Sequence, residues 1–208
     1  MKIFKNNLSG EELNEVASAI LDGQIVVFPT ETVYGIGTNA LNEKSCQRIF
    51  EIKKRPLNKP LIILISNFEM LEKIVEEPDE LSKKLMDKFW PGELTIILKK
   101  KNNSIIPNIV TNGDNIAIRM TNHELLRRII EKINVPIVAP SANITGKETG
   151  TKIKEIINDL SIVDYVIDYG DIDNGISSTI VKVENNMIKL LREGKINKEE
   201  LEKIAPII

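Results

Sequence analysis

The chain has 208 residues, of which 42% are apolar and 28% are charged, and its net charge is −2. This size and composition are typical of a folded globular protein, and the net charge excludes the global positive field that dominates nonspecific nucleic-acid binding. With one cysteine and one histidine, the chain cannot form an internal disulfide or a zinc site of soft ligands. Its apolar runs are too short to cross a bilayer and its start lacks an apolar signal segment, so we expect a cytoplasmic protein with no membrane partner.

The first elements predicted are a helix, a strand and a loop. Ser9 and Glu12 form a capping box, and apolar residues at helical spacing continue the helix to about Asp22. Residues 24–28 are β-branched and apolar, as in a buried strand, and Pro29 ends that strand because it has no backbone donor. The segment PTETVYGIG is therefore predicted to be a loop that follows a strand.

A second helix is predicted after Asn42, which can cap it. Its last turn is predicted to carry Lys53, Lys54 and Arg55, a favourable place for cations beside the negative end of the helix dipole. Pro56 ends this helix.

The rest of the chain predicts further strands and helices. The strands are 61–65, 93–99, 115–120, 136–140, 162–167, 179–183 and 187–191. The helices begin at capping boxes opened by Ser66, Thr121 and Asn197, or occupy 78–90 and 152–160. Asn185-Asn186 predicts a tight hairpin between the last two strands. Because helices and strands alternate early and a hairpin closes the sequence, we predict one α/β domain over residues 1–208, with a twisted mixed sheet flanked by helices.

Small and polar segments follow four of the predicted strands, where loops of open α/β sheets line a ligand crevice. In PTETVYGIG, Thr30 and Thr32 are two residues apart, so their hydroxyls can point the same way. Gly35 and Gly37 would permit close approach of the backbone to a ligand, or would merely be tolerated in a turn. The other segments are SANITG, DYGDIDNGIS and Arg192-Glu-Gly194.

The sequence lacks the usual nucleotide-binding loops. Ala40 stands where a dinucleotide fingerprint would need its third glycine to follow, and no GxxxxGK[ST] segment occurs. A bound nucleotide would therefore be held by side-chain cations and amides, for which Lys53 and Arg55 are candidates. The alternative is that these two cations only complement the helix dipole.

Six motifs occur in a fixed order between about Ile25 and Gly194: PTETVYGIG, KKRPLNKPLIILI, WPGELTIIL, IAIRM, APSANITG and STIVKVENNMIKLLREG. In these motifs the chain resembles the short, single-domain members of the YrdC family of threonylcarbamoyl-AMP synthases. The resemblance implies a YrdC-like domain and a nucleotidyltransferase that condenses L-threonine, bicarbonate and ATP into threonylcarbamoyl-AMP and pyrophosphate. The product would serve the threonylcarbamoyl modification of the adenosine next to the anticodon in tRNA. The resemblance further implies Mg²⁺ on the triphosphate, no metal site of the protein's own, and a downstream tRNA threonylcarbamoyl-transferase complex as partner, with tRNA itself as a further candidate.

The resemblance also assigns residues to the two substrates. The expected threonine contacts are Thr32, Arg119, Ala139 and Ser178. The expected ATP contacts are Arg55, Lys59, Asn115, Ser141, Asn143, Thr149 and Arg192, and the catalytic cations are Lys53 and Arg55. Longer members of the family carry histidine where this chain has Leu64, so one threonine contact of those members has no counterpart here.

Two other functions remain open from the sequence. One is a module that binds double-stranded RNA or tRNA through a basic concave surface, although the acidic net charge and an aromatic content of 4% argue against recognition by stacking. The other is a carbamoyl-adenylate-forming domain of the hydrogenase-maturation type, whose accompanying acylphosphatase and cysteine-rich modules are not found in this sequence.

Overall fold

The computed structural model describes residues 1–5, 7–111, 113–148, 150–173 and 175–208. Within those ranges it contains seven α-helices and ten β-strands. The helices are α1 (Gly10–Leu21), α2 (Glu43–Ile52), α3 (Phe68–Ile74), α4 (Glu80–Phe89), α5 (Glu124–Ile133), α6 (Ile153–Asp159) and α7 (Lys198–Glu202). The strands are β1 (Lys2–Lys5), β2 (Val26–Phe28), β3 (Gly35–Asn39), β4 (Ile62–Ile65), β5 (Leu94–Lys99), β6 (Asn115–Met120), β7 (Ile137–Val138), β8 (Tyr165–Asp168), β9 (Thr179–Glu184) and β10 (Met187–Arg192).

The strands of the described residues form one mixed sheet in the order β1-β8-β2-β3-β7-β4-β6-β5-β9-β10. Strand β8 pairs in parallel with both β1 and β2, and β4 pairs in parallel with β6. The short strand β7 runs antiparallel to both β3 and β4 and so joins the two halves of the sheet. Helices α1 and α5 pack against each other, α1 also contacts β2 and β3, and α2 contacts β3. The mixed α/β sheet flanked by helices is therefore confirmed.

Four of the turn and cap predictions are confirmed. Ser9 and Asn197 form capping boxes at the starts of α1 and α7, and the side chain of Asn42 accepts a hydrogen bond at the start of α2. Asn185 and Asn186 both have positive φ angles, 53° and 58°, and join β9 to β10 in an antiparallel hairpin.

Two local predictions are wrong, and one strand was not predicted. Helix α3 is capped by Asn67, whose side chain accepts from the backbone N–H of Met70, and not by Ser66. Helix α5 has no side-chain cap, because the Thr121 hydroxyl lies two residues before the capping position, where it donates to Glu31. The amino-terminal strand β1 was not predicted, and its pairing partner β8 lies more than 150 residues further along the chain.

The segment PTETVYGIG is only partly a loop, because its last three residues begin strand β3. A Cβ atom at Gly37 would overlap the carbonyl oxygen of Val138 and would lie 2.7 Å from the ring of Phe28. A Cβ atom at Gly35 would lie 2.8 Å from the same ring. These glycines therefore allow close packing of β3 within its own chain, and their interpretation as points of ligand approach stays a prediction.

The apolar core follows the strands from β2 to β9. Phe28, Tyr34 and the residues of β4 from Ile63 to Ile65 have no exposed surface. Leu64 lies beside Arg119 in the parallel β4–β6 ladder, so the position of the family's histidine is filled by a buried apolar side chain. None of the helices in the described part of the chain is long and apolar enough to span a membrane.

Candidate active site

An open cleft of about 340 Å³ lies where several strand ends and their loops meet. It is lined by the turn before β3, by Arg119 of β6, by the loop after β7 and by the segment that leads into β9. Six of the residues that the sequence assigns to ligands line it together: Thr32, Arg119, Ala139, Ser141, Ser178 and Arg192. They come from five distant parts of the chain, and the fold brings them to one place.

Thr30 and Thr32 are joined by hydrogen bonds within a tight turn. The Thr30 hydroxyl donates to the carbonyl oxygen of Val33 at 2.6 Å, so the 2.9 Å contact between the two hydroxyls has Thr32 as its donor. The Thr32 oxygen in turn accepts a hydrogen bond from Arg119 Nη1 at 3.1 Å. Arg119 therefore donates to the Thr32 hydroxyl, which donates to the Thr30 hydroxyl. These hydrogen bonds hold the edge of the cleft in place.

Arg119 is a nearly buried cation, with 4% of its side chain exposed. Its Nη1 lies 3.5 Å from Oε1 of Glu31, whose side chain is 8% exposed. Within the described residues its one hydrogen bond is the one to Thr32, and its buried Nε has no partner. A guanidinium offers five donors in a planar fork, so Arg119 retains donors for a carboxylate or phosphate in the cleft.

Arg192 closes another side of the cleft by holding the Ser178 segment. Its Nε and Nη2 donate to the Ser178 carbonyl oxygen at 3.0 and 2.8 Å, and Nη2 also donates to the Ser178 hydroxyl at 3.1 Å. That hydroxyl contacts the Thr95 hydroxyl at 2.8 Å. Partial burial, and then the positive charges of Arg119 and Arg55, lower the pKa of Arg192. Three guanidinium groups therefore lie close enough to interact, which is an environment suited to an anion.

Lys53 lies behind the loop that carries Ser141 and Asn143. Its Nζ donates to the carbonyl oxygens of both residues and to Oδ1 of Asn143, at 2.6 Å for the Asn143 carbonyl and 3.3 Å for the amide oxygen. Burial, and secondarily the Arg55 charge, lower the pKa of Lys53 to about 7. The resemblance made Lys53 a catalytic cation, and the structure shows an ammonium that contacts three oxygens of its own chain.

Further hydrogen bonds tie the same loop together. The Ser141 hydroxyl donates to Asn143 Oδ1 at 2.6 Å, and Asn143 Nδ2 donates to the carbonyl oxygen of Lys147 at 2.8 Å. The backbone N–H of Thr145 donates to the Lys53 carbonyl oxygen at 2.8 Å, so Lys53 holds the loop through both its side chain and its backbone.

Arg55 and Lys59 lie beyond α2, which ends at Ile52. The prediction of a basic last helical turn is therefore wrong, because the chain turns at Lys54 with a φ of 48°. Arg55 Nε and Nη2 donate to the carbonyl oxygens of Lys59 and Pro60, at 2.9 and 2.8 Å. These bonds close the loop after α2 and leave the Lys59 side chain exposed.

Two assigned residues lie elsewhere. Asn115 lines a separate opening of about 560 Å³, together with Pro60, Ala117 and Leu191. Thr149 lies outside the described residues. Across the described ranges, no group of three or more His, Cys, Asp or Glu residues could hold a metal ion.

Sequence reasoning gave no role to Glu31, Tyr34 or Thr95. The Tyr34 hydroxyl donates to the Gly170 carbonyl oxygen at 2.7 Å and accepts from the backbone N–H of Tyr169 at 2.8 Å, which anchors the segment after β8. Burial above all raises the pKa of Tyr34 to about 12, so the hydroxyl remains a donor. Glu31 and Tyr34 belong to the PTETVYGIG motif, and this membership could have identified them as site residues. Nothing in the sequence connects Thr95 to Ser178.

The mixed sheet and the cleft of guanidinium groups and hydroxyls define an α/β protein whose cleft is suited to a small anionic ligand. The Sua5/YciO/YrdC family model, described as telomere recombination, matches residues 18–194, and the chain belongs to this family.

The relatives of known name or structure agree with that membership. A threonylcarbamoyl-AMP synthase of Pyrococcus abyssi is 43% identical over 190 residues, which cover 90% of this chain and 55% of the relative. A relative from Methanocaldococcus jannaschii is 45% identical over 206 residues, which cover 97% of this chain and 95% of the relative. The crystal structure of P. abyssi Sua5 complexed with L-threonine superimposes with a TM-score of 0.90 at 39% identity, and the match covers all of this chain and 62% of that one. The chain thus spans little more than half the length of the P. abyssi synthase.

Proposed function

We propose that this chain is an L-threonylcarbamoyladenylate synthase, which condenses L-threonine, bicarbonate and ATP into threonylcarbamoyl-AMP and pyrophosphate. The observation that carries the proposal is Arg119, a nearly buried guanidinium that lines the cleft and has donors unused by the described residues. The match to the P. abyssi structure that contains L-threonine covers all of this chain and 62% of the P. abyssi chain, which supports an amino acid as the ligand.

Threonine is expected to bind at the Arg119 side of the cleft. Arg119 would pair the carboxylate through its planar fork, and the hydroxyls of Thr32 and Ser178 would receive the polar groups of the amino acid. Ala139, also in the lining, is small and apolar and would lie against the methyl group. In this arrangement the α-amine remains available for carboxylation.

ATP is expected on the side formed by the loop after β7 and the loop after α2. Ser141 and Asn143 would contact the nucleotide, Arg55, Lys59 and Arg192 would contact the phosphates, and Asn115 would line the adjoining opening. Thr149 is proposed as a further ATP contact on the basis of the sequence alone. Lys53 would act here chiefly by holding the loop of Ser141 and Asn143 in shape.

The proposed chemistry has two steps. The neutral amine of threonine adds to the carbon of bicarbonate, and loss of water leaves a carbamate. A carbamate oxygen then attacks the α-phosphorus of ATP, the bond from that phosphorus to the bridging oxygen breaks, and pyrophosphate leaves with the electron pair. Arginine donors can stabilise the charge that spreads over the phosphate oxygens, and such reactions depend mainly on positioning and charge stabilisation. We expect Mg²⁺ to arrive as part of the nucleotide substrate, because it takes much of its coordination from phosphate oxygens and water.

The cellular role proposed with this activity is supply of the threonylcarbamoyl group to tRNA. The product would pass to a tRNA threonylcarbamoyl-transferase complex in the cytoplasm, which attaches the group to the adenosine next to the anticodon. Direct binding of tRNA by this chain is not needed for that role.

The test is a reconstitution with the purified chain. We expect pyrophosphate release that requires threonine and bicarbonate together, and mass detection of threonylcarbamoyl-AMP. Serine in place of threonine, and carbamoyl phosphate in place of bicarbonate, should give much less adenylate. If carbamoyl phosphate alone supports adenylate formation, the hydrogenase-maturation type of activity is correct instead. Absence of turnover together with salt-sensitive tRNA binding would favour the RNA-binding module.

A further inference from the structure

We propose that Glu31 is a positioning residue, which orients Arg119 toward the ligand through charge while leaving the donors of that guanidinium free. The identity of the ligand as threonine rests on the proposed function, whereas the positioning of Arg119 by Glu31 rests on the geometry alone.

The carboxylate of Glu31 contacts the side chains of two residues, Arg119 and Thr121. Arg119 lies in β6, and Thr121 directly follows the last residue of that strand. Oε2 of Glu31 accepts a hydrogen bond from the Thr121 hydroxyl at 2.8 Å, while Oε1 lies 3.5 Å from Arg119 Nη1. The Thr121 oxygen also accepts from the backbone N–H of His123 at 3.2 Å, so the carboxylate is anchored next to the start of α5.

Burial and buried atoms without hydrogen-bond partners distinguish the Glu31–Arg119 pair from surface ion pairs of similar spacing. At 3.5 Å the pair lies beyond the usual length of a hydrogen bond, and Oε1 is among the buried atoms without a hydrogen-bond partner. Nε of Arg119 is likewise buried and without a partner. Glu31 therefore supplies negative charge next to the guanidinium without occupying its donors, which remain available for an anion.

The charge is needed because the cleft concentrates cations. The pKa of Arg192 is lowered by burial and then by the charges of Arg119 and Arg55, so Arg192 lies close enough to both guanidiniums to be repelled by them. Across the described residues, Glu31 is the one carboxylate in an ion pair with any of these three. Without it, we expect Arg119 to move away from the other two cations and to lose its fixed bond to Thr32.

The first variant is Glu31→Gln, which keeps the side-chain size and an acceptor for Thr121 but removes the charge. We expect the KM for threonine to rise about tenfold, with the KM for ATP changed less than twofold and the melting temperature little altered. Thr121→Val keeps the charge and removes its anchor, so it should shift the KM for threonine in the same direction by about threefold. The matched control is Glu131→Gln, because Glu131 pairs with Arg127 at the same 3.5 Å on the surface.

A second readout separates this inference from the proposed function. In protein labelled with ¹⁵N-arginine, we expect Arg119 Nε–H to give a sharp, slowly exchanging signal, identified by its loss in Arg119→Lys, that broadens in Glu31→Gln and not in Glu131→Gln. If that signal is unchanged by Glu31→Gln, the positioning role is wrong, whether or not the protein turns over threonine. If the signal broadens while the unaltered protein neither binds nor uses threonine, the positioning role stands and the proposed substrate is wrong.

Discussion

The threonine side and the nucleotide side of the proposed site each contain a nearly buried cation, but the two cations are used differently. Lys53 is 1% exposed and its ammonium contacts three oxygens of the loop that contains Ser141 and Asn143. Arg119 is 4% exposed, yet within the described residues it makes one hydrogen bond and one longer ion pair. Burial of a cation therefore does not by itself indicate a ligand site, and the donors left unused are the better guide.

The largest effect is expected from Arg119→Lys. The ammonium keeps the charge but lacks the planar fork, so threonine binding should weaken about 10- to 150-fold, the range given by about 1.5 to 3 kcal/mol for hydrogen bonds to a charged group. Calorimetric titration with threonine measures this directly. Arg127→Lys is the control, since Arg127 is a half-exposed arginine in a surface pair. If Arg119→Lys leaves the threonine affinity unchanged, Arg119 does not bind the ligand and does not differ from Lys53 in this respect.

A smaller effect is expected from Arg55→Ala, on the nucleotide side. Arg55 makes two hydrogen bonds to backbone carbonyls, so its loss should lower the free energy of unfolding by about 1 to 2 kcal/mol. The KM for ATP should rise about tenfold and threonine affinity should change less than twofold, as steady-state kinetics and calorimetry can show. Lys44→Ala, which removes an exposed cation of α2, is the control for net charge. If Arg55→Ala weakens threonine and ATP binding equally, the site does not have separate threonine and nucleotide sides.

A further effect is expected on the pH dependence of the free energy of unfolding at Lys53. Its pKa is about 7 when folded, against an ordinary 10.5, so between these values the unfolded chain binds more protons than the folded chain. Stability relative to Lys53→Met should therefore rise with pH from about 7 towards 10.5, by up to about 1.4 kcal/mol per pH unit, and should be constant below that window. Thermal unfolding of both proteins between pH 6 and 9.5 measures the difference, with Lys44→Met as control. A difference that is independent of pH would mean that the three acceptors keep Lys53 protonated throughout.

The sequence predicts best the features that depend on a few adjacent residues. The caps at Ser9, Asn42 and Asn197 and the turn at Asn185-Asn186 were predictable, because each is formed by local backbone and side-chain bonds. The assignments of Thr32, Arg119 and Ser178 to one site came from the ordered motifs, and the cleft contains all three.

The features that sequence reasoning missed depend on distant contacts. Thr121 is 90 residues from Glu31, which takes its hydroxyl and so removes it from the capping role that the local pattern predicts. Gly37 resembles a loop residue in composition, but it belongs to a strand because the Val138 backbone packs against it. Lys53 resembles a free helix-end cation until the loop of Ser141 and Asn143, about 90 residues away, is folded over it.

The placement of β8 between β1 and β2 has a consequence for how the molecule is made. Tyr165 pairs with Lys2 on one side and with Val26 on the other, so this edge of the sheet cannot close until translation has passed residue 165. Strand β9, which carries the chain on from Ser178, and Arg192 at the end of β10 emerge from the ribosome later still. Such late contacts between distant segments are slow to form, so a nascent chain would contain Thr32 and Arg119 long before it could enclose a ligand between them. A ligand that needs Thr32, Arg119 and Ser178 together can therefore bind only after these later segments have been made and have packed into the sheet, so its binding would report that they have folded.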